Sequence, residues 1–325
     1  MADLKEYVEL FEKLKGGEVV VPQSREEAFR LAFLNAMSGG SGGDIMDQLE
    51  LYETLLNMEL PALLYISYDG SAVVLNNEIH IMGSSNQTGY RTKHCKYDGS
   101  NWTEVSTLPY AFASGSAVVY NNEIHILGSS SNNTPHYKWI GSSWTEVSTL
   151  PYNFYDGSAV VYNNEIHILG GNGDNTAHYK WGGSSWTEVS TLPYEFVGGS
   201  AVVLNNEIHI LGSNGNGHAH YKWDGSTWTS VSTLPYGFNN NNSAVIHRDE
   251  IHILGSTNWT DGLRSHYKWD GTSWLEVSTL PVDFSNGSAV VYDDEIHIMA
   301  PHSSGKAHYK LFNEPLKLYT IKETA

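Results

Sequence analysis

The amino-acid sequence predicts an all-β fold, a six-bladed β-propeller, with a small α-helical module at the N-terminus. The phrase Glu-Ile-His-Ile occurs six times at intervals of 42 to 45 residues. Such a period indicates supersecondary units that bury their apolar faces by stacking on one another. Each copy holds four short segments of strand type, and none has the helical spacing that a helical solenoid would need. The phrases lie at Glu78–Ile81, Glu123–Ile126, Glu165–Ile168, Glu207–Ile210, Glu250–Ile253 and Glu295–Ile298.

The third copy shows why each element is predicted. Its first strand is rich in β-branched and aromatic residues, which suit a pleated, packed surface. Asn163 and Asn164 follow, and asparagine tolerates the positive φ that tight hairpin turns require. Pro193 ends the unit because it has no N–H for a strand ladder. The four predicted strands are Ser158–Tyr162, Glu165–Leu169, His178–Trp181 and Trp186–Ser190.

A glycine pair after the second strand, and a Tyr separated by six residues from a Trp, resemble the kelch motif. The Tyr/Trp pairs are Tyr137/Trp144, Tyr179/Trp186, Tyr221/Trp228 and Tyr267/Trp274. The resemblance covers residues 68–325 and implies a kelch-type propeller similar to the central domain of galactose oxidase. Only Gly170-Gly171 is a complete glycine pair, and Cys95 replaces the Tyr of the first copy.

The last copy departs most from the pattern, because it keeps Tyr309 but lacks the Trp. We predict that Leu316–Ile321 supplies its fourth strand. The ring is then expected to close by packing, without a strand from the N-terminus.

Residues 1–60 have a different character. Apolar residues from Leu4 to Leu14 fall on one helical face, and Ser24 with Glu27 reads as a capping box that opens a second helix. A glycine-rich linker at 39–43 precedes a third amphipathic helix, Asp44 to Met58. Two interpretations stay open: a small cap beneath the propeller, or an assembly module that docks on a partner or on copies of itself.

Composition narrows the classes of partner. A formal net charge of −18 argues against nucleic-acid binding, which needs clustered Lys and Arg. No apolar run is long enough to span a bilayer, and the first residues lack the apolar core of a secretory signal. The single cysteine, Cys95, cannot form an internal disulfide.

The fifteen histidines raise the question of a metal site. Most fall on two repeat positions, one in Glu-Ile-His-Ile and one before Tyr-Lys-Trp, which are related by rotation about the propeller axis and do not converge on one point. We therefore expect structural histidines that face the next blade, no metal and no cofactor. Glu123 and its equivalents begin a strand in every copy, which speaks against a unique catalytic acid. The chain is predicted not to be an enzyme.

Differences between the copies indicate where a ligand would bind. The turns between first and second strands and between third and fourth strands hardly change, whereas the other two connections vary, and in an up-and-down blade these two share one end. Aromatic rings and amides there suit a glycan or peptide. A Phe recurs after each Leu-Pro, and two interpretations stay open: these side chains fill the top of the core, or they face the ligand. The residues are Phe112, Phe154, Phe196, Phe238 and Phe284. The candidate ligand-binding residues are Tyr90, Arg91, Tyr155, Asp174, His218, Trp259, Asp261 and Arg264.

The functional prediction follows from these features together. Near-identical, Asn-rich repeats with a helical leader resemble the kelch-repeat tail or baseplate proteins of bacteriophages and prophages. That resemblance implies a virion location, N-terminal helices attached to other virion proteins or to themselves, and a propeller face that recognises a host-surface glycan or protein. The predicted function involves neither nucleic-acid binding nor insertion into a membrane. The alternatives are a cytosolic kelch scaffold for protein interactions and a kelch-type sugar mutarotase or epimerase.

Overall fold

The computed structural model contains six four-stranded sheets, so the predicted all-β six-bladed propeller is confirmed. The structure describes residues 57–85, 89–129, 134–212, 217–238, 243–255, 263–299 and 305–311. In the described residues, no helix is long and apolar enough to cross a membrane. The three predicted N-terminal helices, apart from the last residues of the third, lie outside the described residues.

The strands are numbered in chain order. Strand β1 is Asn57–Glu59. Blade 1 comprises β2 (Ser71–Leu75), β3 (Glu78–Met82), β4 (Lys93–Tyr97) and β5 (Trp102–Thr107). Blade 2 comprises β6 (Ser116–Tyr120), β7 (Glu123–Leu127), β8 (Pro135–Trp139) and β9 (Trp144–Thr149). Blade 3 comprises β10 (Ser158–Tyr162), β11 (Glu165–Leu169), β12 (Ala177–Trp181) and β13 (Trp186–Thr191).

Blade 4 comprises β14 (Ser200–Leu204), β15 (Glu207–Leu211), β16 (Ala219–Trp223) and β17 (Trp228–Thr233). Blade 5 comprises β18 (Ser243–His247), β19 (Glu250–Leu254), β20 (His266–Trp269) and β21 (Trp274–Glu276). Blade 6 comprises β22 (Ser288–Tyr292), β23 (Glu295–Met299) and β24 (His308–Leu311), with β1 as its outermost strand.

The hairpin joining β10 to β11 explains why the first turn is constant. Tyr162 pairs with Glu165, and the two residues between them, Asn163 and Asn164, have φ of 49° and 59°. A two-residue loop with both φ positive matches the twist of the strands, and asparagine adopts it at low cost. The same geometry occurs in every blade, with Arg248 and Asp249 taking these positions in blade 5. The short loop therefore fixes the strand register locally.

Blade 6 closes the ring, and it does so differently from the prediction. Its strand order is β1-β24-β23-β22, so a segment from before blade 1 supplies the fourth strand. The Leu60 N–H donates to the His308 carbonyl at 2.7 Å, and the Leu63 N–H donates to the Lys306 carbonyl at 2.8 Å. Closure by packing without an N-terminal strand was therefore wrong, because these backbone groups find their partners across the ends of the chain. Leu316–Ile321 lies outside the described residues.

The hydrophobic core lies between adjacent blades. Between blades 2 and 3, for example, Val118 and Tyr120 of one blade pack with Ile166, Ile168 and Trp181 of the next. The phenylalanines that follow Leu-Pro are fully buried in these interfaces, so they belong to the core and do not face a ligand: Phe112, Phe154, Phe196, Phe238 and Phe284. Each blade is thus stabilised mainly by its neighbours, as expected of a repeat architecture.

Candidate functional site

The two variable connections of each blade lie at the same end of the propeller, as predicted. Backbone hydrogen bonds join the loop between the second and third strands of one blade to the link that leads to the next. The Leu150 N–H donates to the Thr134 carbonyl at 2.8 Å, and the Phe196 N–H donates to the Asn175 carbonyl at 2.7 Å. We call this end, with its loops and links, the variable end. The opposite end, made of the constant turns, is the uniform end.

A series of backbone hydrogen bonds runs from blade to blade around the propeller axis at the variable end, through the described residues of blades 6, 1, 2, 3 and 4. The Ser114 N–H donates to the Asp69 carbonyl, Asp156 to Ser114, and Gly198 to Asp156, at 2.8, 2.7 and 2.6 Å. The Asp69 N–H donates to the Asn286 carbonyl at 2.9 Å, which continues the series from blade 1 to blade 6. We call these five residues the axial ring; residue 241, the equivalent in blade 5, lies outside the described residues.

The axial ring owes its position to the innermost strands. Each member stands two residues before the first strand of its blade, and these first strands contact one another around the whole ring. All five members have positive φ, between 51° and 72°, which turns the chain towards the next blade. A second layer lies below, where the Ala159 N–H donates to Ser116 Oγ at 3.0 Å and equivalent pairs repeat from blade to blade.

The axial ring differs from the rest of the scaffold in its side chains. Its described positions carry two carboxylates, one hydroxyl, one amide and one glycine. Asn286 Nδ2 donates to Asp69 Oδ1 at 2.6 Å, and Asn172 Nδ2 donates to Asp156 Oδ2 at 2.7 Å. Neighbouring inner-strand positions are nearly identical in all blades, so this polar set is specific to individual blades. It can donate and accept hydrogen bonds at the mouth of the axis.

Sequence reasoning noted that the links vary but did not select the axial-ring residues as a site. The signal was available: the residue two positions before each Ser-Ala changes from copy to copy, while Ser-Ala itself is constant. The sequence does not show the backbone hydrogen bonds that join these residues in adjacent blades.

Tyr90 and Arg91 lie in the loop of blade 1, and the protein uses both structurally. The Tyr90 ring packs on Tyr65 with ring centres 5.8 Å apart, beside the core between blades 6 and 1. Arg91 donates through Nη2 to the Ser85 carbonyl at 3.4 Å, and its own carbonyl accepts the Phe112 N–H. Both side chains are half-buried, so each offers a ligand only part of its surface.

Tyr155 and Asp174 come together at blade 3, next to the axial ring. Tyr155 directly precedes Asp156, is half-buried, and its carbonyl accepts the Asn172 N–H at 2.9 Å. Asp174 is exposed and accepts the Thr176 N–H at 3.3 Å, which holds the loop in its turn. An aromatic ring, two carboxylates and an amide are therefore grouped on this side of the axis.

The remaining candidates are spread over blades 4 and 5. His218 is half-buried with its Nδ1 2.8 Å from the Leu234 carbonyl. Arg264 is exposed, and its Nε donates to Asp283 Oδ1 at 2.9 Å. Trp259 and Asp261 lie outside the described residues. The six predicted residues that the structure describes thus occupy different blades around the variable end and do not form one compact site.

The histidines at the two repeat positions form buried pairs inside each blade. In blade 3, His167 Nδ1 lies 2.8 Å from His178 Nε2, and His178 Nδ1 lies 2.9 Å from Ser190 Oγ. Trp228 of blade 4 donates to the same Ser190 Oγ at 3.1 Å. The second-strand histidine therefore faces its partner in its own blade, and the third-strand histidine packs edge-on against Trp223 of the next blade. These hydrogen bonds give the paired histidines a structural role.

The uniform end carries a repeated ion pair. In each blade the Glu that begins the second strand pairs with the Lys of the third strand; the Glu165–Lys180 distance is 2.9 Å. The equivalents are Glu78–Lys96, Glu123–Lys138, Glu207–Lys222, Glu250–Lys268 and Glu295–Lys310. Because all six copies are alike, this ion pair gives no blade a chemistry of its own.

Comparison with known proteins supports the fold. No protein-family model matches the chain, and no curated protein sequence matches it. Among the solved structures, the one reported as "Structure of YjhT" superposes with a TM-score of 0.66 at 15% sequence identity, covering 77% of this chain and 95% of that chain. In all, 479 solved chains match, so the architecture is widely shared and does not by itself select a function. At 15% identity the likeness shows a six-bladed propeller.

One functional prediction is corrected by this match. The prediction that the chain is not an enzyme was wrong, because the match to YjhT removes the ground for excluding catalysis in this propeller. The prediction rested on Glu123 and its equivalents, which are alike in all copies. These residues lie at the uniform end, so the exclusion applied to that end alone. It did not consider the axial ring, where, among the described positions, only blades 1 and 3 carry a carboxylate, at Asp69 and Asp156. The match gives no support to a virion role.

Proposed function

We propose that this propeller recognises a saccharide at its variable end, with the axial ring at the centre of the binding surface. The observation that carries the proposal is the contrast between that ring and its scaffold. Nearly identical blades carry different residues at the five described positions of this ring, four of them with polar side chains and one a glycine. A rigid frame with diversified residues at one end is the arrangement of a recognition surface.

The chemistry of this end suits a polyhydroxylated ligand. Carboxylates and amides at Asp69, Asp156 and Asn286 can accept and donate hydrogen bonds to hydroxyl groups. The Tyr155 ring next to Asp156 offers an apolar face of the kind that covers the C–H face of a sugar ring. The formal net charge of −18 favours a neutral or cationic saccharide over a polyanionic one.

The biological setting extends the proposal. The chain attaches through residues 1–60 to other virion proteins or to its own copies, and the variable end then faces a host envelope. Several copies on one particle would bind with avidity although each site is weak. What supports this setting is the resemblance of the repeats and of the helical leader to phage and prophage tail proteins.

Binding to a glycan panel and to bacterial cells tests saccharide recognition. The full chain is labelled and compared with Asp156→Ala and Tyr155→Ala; Ile140→Ser is the control, since Ile140 is exposed in a constant turn of the uniform end. We expect saturable binding that both variable-end changes weaken at least about tenfold, the loss of one good contact. Equal binding by all four proteins, or none to any glycan, contradicts the proposal.

A second candidate, a sugar mutarotase, is favoured by one specific observation. Asp69 and Asp156 are two carboxylates on a ring around the axis, with Ser114 between them in the order of hydrogen bonds. Positioned carboxyl groups can transfer protons to and from a sugar, which interconversion of anomers requires. Anomer exchange is measured by NMR with and without the protein; loss of rate enhancement in Asp69→Asn and Asp156→Asn with binding retained would identify the enzyme. Binding without any rate enhancement leaves recognition as the function.

A further inference from the structure

Twelve buried histidines form six pairs with the same geometry, and neither recognition nor catalysis at the variable end uses them. The nitrogen–nitrogen distance within a pair is 2.8 or 2.9 Å, and no histidine of a pair exposes more than 4% of its residue surface. The pairs are His80–His94, His125–His136, His167–His178, His209–His220, His252–His266 and His297–His308. The six pairs are therefore titratable groups buried in the core.

The geometry of a pair admits one hydrogen between its rings. His167 Nδ1 and His178 Nε2 are 2.8 Å apart, so one nitrogen donates its N–H and the other must accept it with a lone pair. If both imidazoles were protonated, two N–H groups would point at each other across this gap. A doubly protonated pair is therefore incompatible with the folded arrangement.

The groups around a pair do little to stabilise a positive charge. Within the blade, a Glu carboxylate lies 3.7 to 3.9 Å from the Nε2 atoms of His80, His125 and His209, but the same Glu is already paired with a Lys. In blade 5, His247 adds another ring beside His252, and Asp294 lies 3.6 Å from His247. The facing side chains of the neighbouring blade are uncharged, for example Trp139 and Trp144 against His94.

Burial acts in the same direction as the geometry. Burial lowers the pKa of His167 to about 4, although the Glu165 carboxylate acts in the opposite direction. It lowers the pKa of His178 to about 3, and the nearby His167 and Lys180 charges act in the same direction. The corresponding rings of the other blades follow the same direction. Since a folded-state pKa below the unfolded value of 6.5 favours the unfolded chain in acid, the stability is complete above pH 6.5 and falls as the pH drops towards 4.

The pairs are coupled to the interfaces between blades. His136 Nδ1 lies 2.9 Å from Ser148 Oγ, which accepts the indole N–H of Trp186 from the next blade at 3.2 Å. In the last interface, Trp102 of blade 1 donates directly to His308 Nδ1 of blade 6 at 3.2 Å. Proton uptake by a pair therefore disturbs the contact that holds two blades together, including the contact that closes the ring.

We propose that the six histidine pairs make the propeller an acid-triggered switch, in which the ring is closed while the pairs are neutral and opens cooperatively in mild acid. Opening separates the blades that carry the axial ring. Release of anything bound at the variable end would follow. The proposal does not depend on what that ligand is.

Proton uptake on unfolding tests the switch. Urea unfolding of the full chain is followed by Trp fluorescence at intervals between pH 5.5 and 7.5, a window in which carboxylates contribute little because they titrate near pH 4. The pH dependence of the unfolding equilibrium counts the protons that the unfolded chain binds in excess. We expect this number to rise towards pH 5.5 to at least about six, one for each pair, and to approach twelve. An excess of two protons or fewer overturns the proposal.

A pair replacement makes the test specific. The double variant His167→Gln, His178→Gln removes one pair and should lower the proton count by up to about two. The matched control is His218→Gln, a half-buried loop histidine outside the pairs, which should leave the count within about one proton of the parent. If the double variant does not fold, imidazole NMR of the unmodified protein decides: pair signals that titrate near pH 6.5 in the folded state contradict the switch.

Discussion

The two ends of this propeller are built from the same six blades, yet one of them varies much more than the other. At the uniform end, hairpin turns with two positive φ angles and a Glu–Lys pair recur in every blade. At the variable end, loops differ in length and the axial ring carries different side chains. The blades are held at both ends, but by different means: local turns at one and hydrogen bonds between blades at the other.

Because of this difference, the residues constrained by the turns and the side chains proposed to bind a ligand lie at opposite ends. A two-residue turn has few solutions, so its residues are constrained wherever the blade is copied. At the variable end the backbone carries the connections, as in the Asp156 N–H to Ser114 carbonyl bond, and the side chains are left to differ. The four changes below are expected to separate these contributions, from the largest effect on the free energy of unfolding to the smallest.

The largest effect is expected just beneath the variable end, at Phe196. Its side chain is fully buried between blades 3 and 4, and Phe196→Ala should lower the free energy of unfolding by about 3–5 kcal/mol. Ile140→Ala at the uniform end is the control and should stay within about 0.5 kcal/mol because its side chain is 51% exposed. Urea unfolding at pH 7.5 measures both; similar losses would show that the ends do not differ.

Two glycines of blade 3 make a matched pair across the ends. Gly170 at the variable end has φ of 58°, and an added Cβ would overlap the Phe196 carbonyl oxygen. Gly183 at the uniform end has φ of 111°, and its Cβ would meet no atom within 4 Å. Gly183→Ala should lower the free energy of unfolding by about 1–2 kcal/mol through backbone strain, and Gly170→Ala by about 3 kcal/mol. Equal losses in the thermal melts would contradict the importance of that close approach.

Ring closure at the axis should contribute less. Asn286 Nδ2 donates to Asp69 Oδ1 at 2.6 Å, joining blades 6 and 1 across 217 residues of sequence. Asp69→Ala and Asn286→Ala should each lower the free energy of unfolding by about 1 kcal/mol, and the double variant by less than their sum. A double-mutant cycle from urea unfolding measures the coupling; strict additivity would mean that this contact does not help to close the ring.

The smallest effect is expected from the ion pairs of the uniform end. Glu165 and Lys180 lie 2.9 Å apart, but their side chains are 30% and 38% exposed, so water and salt screen the pair. Glu165→Gln should lower the free energy of unfolding by at most about 0.5 kcal/mol, less still in high salt. Glu165→Asp, which keeps the charge, is the control. If Glu165→Gln lowers the free energy of unfolding by more than about 1 kcal/mol, the ion pair contributes more to stability than its exposure predicts.

The first two strands of a blade were predicted accurately from the sequence because they depend on residues close together in the chain. The third copy placed its strands at Ser158–Tyr162 and Glu165–Leu169, and the structure has the same bounds. The prediction failed at closure, where the residues of β1 precede the first repeat and carry no repeat signature. The sequence placed the candidate site at the variable end, which stays a prediction, and its residues were chosen by chemical type. Several of them, such as Tyr90 and Arg264, are held by contacts that only the fold creates.

By itself, the sequence determined the number of blades, the bounds of most strands, and the turn in which Asn163 and Asn164 take positive φ, since all three depend on residues close together in the chain. Only the tertiary structure decided how the ring closes, which residues meet at the axis, and that two histidines in each blade share one hydrogen. Trp102 reaches His308, and Asn286 reaches Asp69, across more than 200 residues. Such contacts exist only when six blades complete a circle, because no single repeat contains both partners.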